Sequence, residues 1–586
     1  MKKFSVIFVF GILAGFAYYW WEKTSNPEPT QTGEVVSADA GAATPAAGGR
    51  IVVTYRSEPR TFNRLVSPQL AEELVSRLTN DTLLRMNRVT GELGPGLARE
   101  WTSSPDGLTW TLKLVDGVSF SDGTPFTSAD VAFTFQAIFD PNVKSEMASS
   151  LMINDKPLQV RALDASTVVI VLPAPYGPGL SMLDAVPILP RHKLASALQA
   201  GTFRDAWGST TPLADVVGLG PFVIQEYVPA QKIVFARNPK YWRKDEQGRQ
   251  LPYLDAVELQ FVADQNAEVL RMKAGQVDIM NKEVRFEDLT SLQALQKDGK
   301  VTLHEAGISI APDMLWFNLN PAAKIAKGRP WLQRDELRHA ISTAVDRRSI
   351  VNTVFLGEAA EIAGPITSGH KGWFLPDLKP PTGGIEAAKQ LLASIDLKDR
   401  NGDGLLDDAQ GKTAKFSLLT QKGQTVRERT AAMVKEQMRK VGLEIDVVPL
   451  EARFMIDAWG KGDYDSILFA VETDSLDPAR NPEFWNSSGS FHFWNPGQKT
   501  PSTTWEGKID DLMKQQASSM NPEERKRLFA EVQRTFAAHE PVLYFAAPKV
   551  ILVTSARVRG ATPSVLAPNL LWNAERLYVA DGPAKR

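Results

Sequence analysis

The sequence predicts an α/β protein, and three stretches carry that prediction. Residues 254–262 alternate as a strand, with Ala256, Glu258 and Gln260 against Val257, Leu259 and Phe261. A helical run over 265–274 follows and closes at Gly275. Residues 416–420, 425–441 and 443–448 read as strand, amphipathic helix and strand, a βαβ unit whose right-handed crossover makes the two strands parallel. Residues 464–471 set Tyr464, Ser466, Leu468 and Ala470 against Asp465, Ile467, Phe469 and Val471. Both sets are largely apolar, as in a strand covered on both faces.

Composition narrows the class. A chain of 586 residues holds about four domain-sized units, or two to three if the lobes are large. Hydrophobic residues at 43% and charged residues at 23% are ordinary for a globular protein with a sizeable core. A formal net charge of -2 lacks the basic excess of a nucleic-acid binder, so no nucleic-acid partner is expected. The chain has no cysteine, which removes disulfides, thiol nucleophiles, Cys-ligated zinc and a lipid anchor on cysteine.

At the N-terminus Lys2 and Lys3 precede an uncharged apolar run, 4–21, closed by Glu22 and Lys23. As a helix this run spans about 27 Å, close to a bilayer core. Tyr18, Tyr19, Trp20 and Trp21 suit an interfacial aromatic belt, and the lysines place the start of the chain in the cytoplasm. Residues 1–23 therefore read as a membrane anchor or, alternatively, a secretory signal peptide cleaved near Ala38-Asp39-Ala40. Either reading places the body outside the cytoplasmic membrane. Residues 24–50, rich in Pro, Thr, Ala and Gly, form a flexible linker.

Folded structure begins with a strand at 51–55 and a turn at Ser57-Glu58-Pro59. Trp110, Leu112 and Leu114 alternate with Thr109, Thr111 and Lys113 in a half-buried strand. The turn dipeptides Asp116-Gly117 and Asp122-Gly123 bracket a short strand at Val118 and Phe120. Thr127 or Ser128 caps a helix starting near Ala129, with Asp130 in its first turn. Residues 221–236 have strand character and end at Asn238-Pro239. The helix over 425–441 turns Val426, Met433, Val434, Met438 and Val441 inward, and Gly442 caps its end. The strand over 464–471 passes into a polar loop, 472–478, and then a segment rich in Phe and Trp. No short-period repeat is present, which excludes solenoids and propellers.

Catalytic signatures are missing from the sequence. The six histidines are dispersed, and there is no H-E-x-x-H, G-x-S-x-G or Walker-type motif. Residues 399–404 open like a calcium loop, but Gln410 stands where the bidentate carboxylate belongs, so a polar connector is expected and no metal or cofactor. Trp459, Trp485, Trp494 and Trp505 lie in or near the aromatic segment, as core or as the lining of a cleft.

Several blocks, in order, resemble the family 5 extracellular solute-binding proteins of ABC importers, the dipeptide- and oligopeptide-binding type. They are 97–131 (LAREWTSSPDGLTWTLKLVDGVSFSDGTPFTSADV), 218–242 (GLGPFVIQEYVPAQKIVFARNPKYW), 251–280, Phe317-Asn318-Leu319-Asn320, and 337–347. The resemblance spans roughly residues 51 to 580. Where the family carries Phe-His-Asp-Gly, this chain has Phe120-Ser121-Asp122-Gly123.

The resemblance implies a bilobal periplasmic-binding-protein (Venus-flytrap) fold of the large type, with no enzymatic activity. Its N-terminal lobe would run over 51–311 with an inserted subdomain near 78–215. The C-terminal lobe would cover 312–545, and 546–586 would return to the first lobe. A peptide, or another small solute, would be captured between the lobes of a monomer and delivered to ABC permease subunits. In the Asp-x-x-Asp-Pro motif, Asp474 would pair with the ligand's α-ammonium group, flanked by Thr473 and Ser475, while Asp477 fixes the turn at Pro478. Trp485 and Trp459 are the candidate cleft aromatics. The anchor at 4–21 departs from the family's lipid-modified or cleaved N-terminus and suggests a tethered receptor. A tethered ligand sensor, a binder of metal chelates, opines or sugars, and a hydrolase remain the alternatives.

Overall fold

The computed structural model describes residues 45–580, apart from 46, 68, 325–327, 472 and 474. The segment expected as an anchor, 1–23, and most of the linker lie outside the described residues. Among the described ones, no helix is long and apolar enough to cross a membrane.

The sheet of the first lobe is organised around the strand Arg50–Tyr55, which runs parallel to Ala256–Phe261 on one side and Ile279–Met280 on the other. Val53 sits opposite Leu259 and Ile279, and all three side chains are fully buried. Phe222–Val228 and Lys232–Arg237 extend one edge, and Ala546–Ser555 and Val301–Ile308 the other, all antiparallel to their neighbours. The stretch 221–236 is thus a hairpin. Pro229 has no N–H for a ladder, and Ala230 turns the chain with φ 59°. The alternation of Ala256–Phe261 is incomplete because Glu258 is buried too, where it pairs with Arg50.

A second, antiparallel sheet of four strands carries Ala98–Ser103, Thr109–Leu114, Thr167–Val171 and Gln159–Asp164 in that order. Helix Ser128–Phe139 packs against it. Its N-terminus is closed as the sequence predicts, with the Asp130 carboxylate accepting the Thr127 backbone N–H at 2.9 Å. The short strand expected at Val118 and Phe120 does not form. Two tight turns and Pro125, which lacks an N–H, leave only a single bridge between Ser119 and Pro125. The Val118 and Phe120 side chains are buried nonetheless, in one core shared by this sheet and the larger one.

The sheet of the second lobe has the order Glu444–Leu450, Lys415–Gln421, Ser466–Phe469, Met314–Phe317, Val542–Tyr544. The predicted βαβ unit is its left half: Lys415–Gln421 and Glu444–Leu450 are parallel across helix Thr425–Arg439, whose Val434 and Met438 are fully buried. Gly442 follows with φ 85°, a conformation that favours glycine, and a side chain there would meet Leu406 at 2.8 Å. Ser466–Phe469 is the middle strand, and its period of two sorts residues into two cores. Leu468 joins Leu315, Phe317, Leu418 and Leu543 on one face, while Ile467 joins Met314, Trp316 and Tyr544 on the other. Burying a side chain such as Leu468 stabilises the lobe by roughly 1.5–3 kcal/mol. Asp465 is tolerated at the head of this strand because Arg329 pairs with it and the Ser417 N–H donates to it at 2.8 Å.

Two stretches lead directly from one sheet to the other, and Ala359–Glu361, between strands of the second sheet, also pairs with Ala546–Ser555. Val301–Ile308 belongs to the first sheet and Met314–Phe317 to the second, and Val542–Tyr544 leads directly into Ala546–Ser555 of the first. The loop at 399–410 is a connector whose carboxylates hold its own backbone: Asp399 accepts from the N–H groups of Gly402 at 2.7 Å and Gly404 at 3.0 Å.

Candidate ligand-binding cleft

Between the lobes lies a cavity of about 440 Å³, within the size range of small-ligand sites. Leu70 and Glu73 of helix Leu70–Thr79 and Ala567 wall it from the first lobe, and Ile310 and Pro312 from a crossing segment. The second lobe supplies the loop that leaves the C-terminal end of Ser466–Phe469, together with Phe484, Trp485 and Phe493. The position follows from the topology: Ser466–Phe469 runs parallel to Lys415–Gln421, and loops at the carboxyl ends of parallel strands open into the crevice beside the sheet.

The candidate residues divide. Thr473 and Ser475 both line the cavity, and the Thr473 hydroxyl donates to the Ser475 carbonyl at 3.2 Å. Asp474, between them, lies outside the described residues. Trp485 lines the cavity and is held edge-on against Phe529 and Phe536 at 5.2 and 5.5 Å between ring centres. Trp459 stands one layer back. Its indole N–H donates to the Phe493 carbonyl at 3.0 Å and its ring packs 5.5 Å from that of Phe493, so it supports the aromatic wall rather than lining it. Trp494 is core. Asp477 accepts the Ala479 N–H at 3.0 Å and starts the 3-10 turn Pro478–Arg480, as the Asp-Pro pair suggests.

Several contacts in and around the cavity wall escape sequence reasoning. Asp477 also binds the guanidinium of Arg525 at 2.6 Å, and that guanidinium lies 5.1 Å over the Trp373 ring. Glu73 stands between Arg77 at 2.9 Å and Arg64 and Arg88 at 3.8 Å. Burial opposes its ionisation, but the three arginines prevail and hold its carboxyl below the ordinary Glu value. Burial pushes the His370 imidazole down to about 4, so it is neutral near pH 7, and its Nδ1 accepts the Thr367 N–H at 3.1 Å.

The lobes also touch beside the cavity. Leu476 of the loop packs with Ile310 and Leu566 in a small apolar cluster. The Gly177 N–H donates to the Ala517 carbonyl at 2.6 Å, and the half-buried Tyr176 hydroxyl reaches the Ala479 carbonyl at 3.5 Å. Burial, with the Asp477 charge adding to it, pushes the Tyr176 phenol up to about 12. No local pattern could have signalled these pairs, because their partners lie in distant segments of the chain.

Residues 92–493 match the family model described as bacterial extracellular solute-binding proteins, family 5 Middle. The chain belongs to that family. The oligopeptide-binding protein AppA of Bacillus subtilis is 27% identical over 523 residues, covering 87% of this chain and 88% of that one. The structure of AppA with a nonapeptide aligns with a TM-score of 0.68 and 25% identity over 92% of this chain and all of that one. The ABC transporter substrate-binding protein CtaP of Listeria monocytogenes shares the fold, with a TM-score of 0.74 at 21% identity over 91% of this chain and 100% of that one. A periplasmic alpha-galactoside-binding protein of Rhizobium meliloti is 24% identical, over 83% of this chain and 74% of that protein. The family's ligands therefore differ in chemistry, and the lining of the cleft has to discriminate among them.

Proposed function

We propose that this protein is the substrate-binding component of an ABC importer, a non-enzymatic receptor that captures peptides between its lobes and presents them to membrane permease subunits. The observation that carries the reading is the cleft itself: a cavity of about 440 Å³ between two α/β lobes, with Thr473, Ser475 and Trp485 among the residues of its wall. The similarity to AppA across most of both chains supports a peptide over a metal chelate, opine or sugar. In this reading Asp474 binds the peptide's α-ammonium group, Thr473 and Ser475 hold the loop, and Trp485, backed by Trp459, packs against side chains. The N-terminal lobe comprises 51–311 with the insert near 78–215, the C-terminal lobe 312–545, and 546–586 returns to the first. The receptor acts as an extracytoplasmic monomer, tethered through 4–21.

The test is titration calorimetry of the wild type and Asp474→Asn against a tripeptide pool with free and with acetylated amino termini. Losing the charged partner should weaken binding of free-amino peptides by about 10- to 150-fold. The acetylated pool should bind both proteins equally and weakly. Unchanged affinity of Asp474→Asn for free-amino peptides would remove Asp474 from the site.

A further inference from the structure

A buried charge cluster outside the cavity wall sits where the chain crosses between the sheets. Ala359–Glu361 pairs with Ala546, Ala547 and Pro548, so two stretches run side by side at the crossing. Arg347, at the start of helix Arg347–Thr353, holds both of them. Its guanidinium donates to the Tyr544 carbonyl at 3.0 and 3.2 Å and to the Ile362 carbonyl at 3.2 Å. It also donates to the Ser342 hydroxyl at 2.8 Å, and that hydroxyl donates to Oε1 of Glu540 at 2.6 Å. Ser342 is fully buried, and Arg347 and Glu540 nearly so. Oε2 of Glu540 has no hydrogen-bond partner among the described residues. An ionised carboxylate in that state is costly, and burial raises Glu540 to about 7. Burial lowers Arg347 to about 10, which leaves it charged at neutral pH. Arg338 and His339 face Glu540 from helix Asp335–Ala344. Arg338 donates to the Glu540 and His539 carbonyls at 2.9 and 3.1 Å and pairs with Asp335, which also binds His539 at 2.7 Å. His339 stands 3.9 Å from Oε2, held below its ordinary value by burial and by Arg338. Beyond Arg347, Glu361 pairs with Arg348 at 3.3 Å.

We propose that Glu540, Ser342 and Arg347 form a proton-responsive lock on the crossing between the lobes. With Glu540 neutral, Arg347 directs its donors at the Tyr544 and Ile362 carbonyls and fixes the two stretches together. Once Glu540 is ionised, its charge draws the guanidinium through Ser342 toward the carboxylate, because a charge-assisted bond outcompetes one to a neutral carbonyl. The bonds lost are made in the arrangement in which the lobes touch, so their loss shifts the population toward separated lobes. Rising pH therefore opens the receptor, whatever solute it carries.

The chain has no cysteine, so Lys300→Cys and Lys440→Cys, one exposed site on each lobe, accept a fluorophore pair in the full chain. Single-molecule energy transfer, with no ligand added, then gives the ratio of separated to touching lobes at pH 5 and pH 8. In the labelled parent that ratio should rise with pH by about 5-fold or more. Glu540→Gln should keep the pH 5 ratio at both values. Ser342→Ala removes the link to Arg347 and should lose most of the rise; it decides the matter alone if the Gln variant does not fold. An unchanged ratio in the parent, or an undiminished rise in either variant, overturns the lock. Because no ligand is present, either result leaves the peptide reading untouched.

Discussion

Replacing Gly177 by alanine should weaken ligand binding without touching the ligand. A Cβ at this position would lie 2.4 Å from the Ser519 carbonyl oxygen and 2.5 and 2.6 Å from Nε and Cδ of Arg525. Ordinary carbon contacts begin near 3.4 Å, so the overlap approaches 1 Å. Arg525 cannot simply swing aside, because it binds Asp477 at 2.6 Å and the Gln516 carbonyl at 3.1 Å. Overpacking of this kind costs about 1–3 kcal/mol. The penalty falls on the contact between the lobes, since Gly177 belongs to the first lobe and its neighbours to the second. The apparent dissociation constant should therefore rise by about 5- to 150-fold. Titration calorimetry with the peptide pool gives the affinity, and small-angle scattering with and without ligand reports closure. The ligand-free Gly177→Ala protein should melt within about 2 °C of the wild type, because neither hydrophobic core is altered. Wild-type affinity together with wild-type compaction on binding would refute the reasoning.

Two further substitutions test the interior. Arg525→Met leaves Asp477 without its buried partner and should destabilise the protein by about 3 kcal/mol in urea unfolding; adding Asp477→Asn should recover part of the loss. Burial raises the Glu540 carboxyl from 4.5 to about 7, against the pull of the Ser342 hydroxyl, Arg347 and Arg338. Between those values the folded chain keeps a proton that the unfolded chain has released, so stability falls as pH rises from 4.5 to 7, by up to about 3 kcal/mol. Glu540→Gln imitates the protonated state and should lose this slope; urea midpoints at pH 5 and pH 8 that shift alike in variant and wild type would contradict it.

The strand through Ser466–Phe469 was legible because a period of two writes burial on both faces directly into the residue types, and the structure resolves it into two separate cores. The βαβ unit beside it was legible for a similar reason, since its helix, its glycine and both strands are contiguous. The hairpin over 222–237 was harder, because Pro229 and Ala230 make a turn without the usual Asn or Gly. The strand at Val118 and Phe120 was misread because apolar residues between turns are buried whether or not they find a ladder. In the cleft, the loop announced itself through its motif, and Thr473, Ser475 and Trp485 do line the cavity. Arg525 on Asp477, His370 in the wall and Gly177 against Ala517 depend on segments brought together only by the fold.

The central claim is that the cleft captures peptides, and native mass spectrometry of the ligand retained by the purified protein tests it most directly. The account predicts retained masses that fragment as short peptides with free termini, lost from the Asp474→Asn protein. A retained sugar or metal chelate in place of peptides would contradict it.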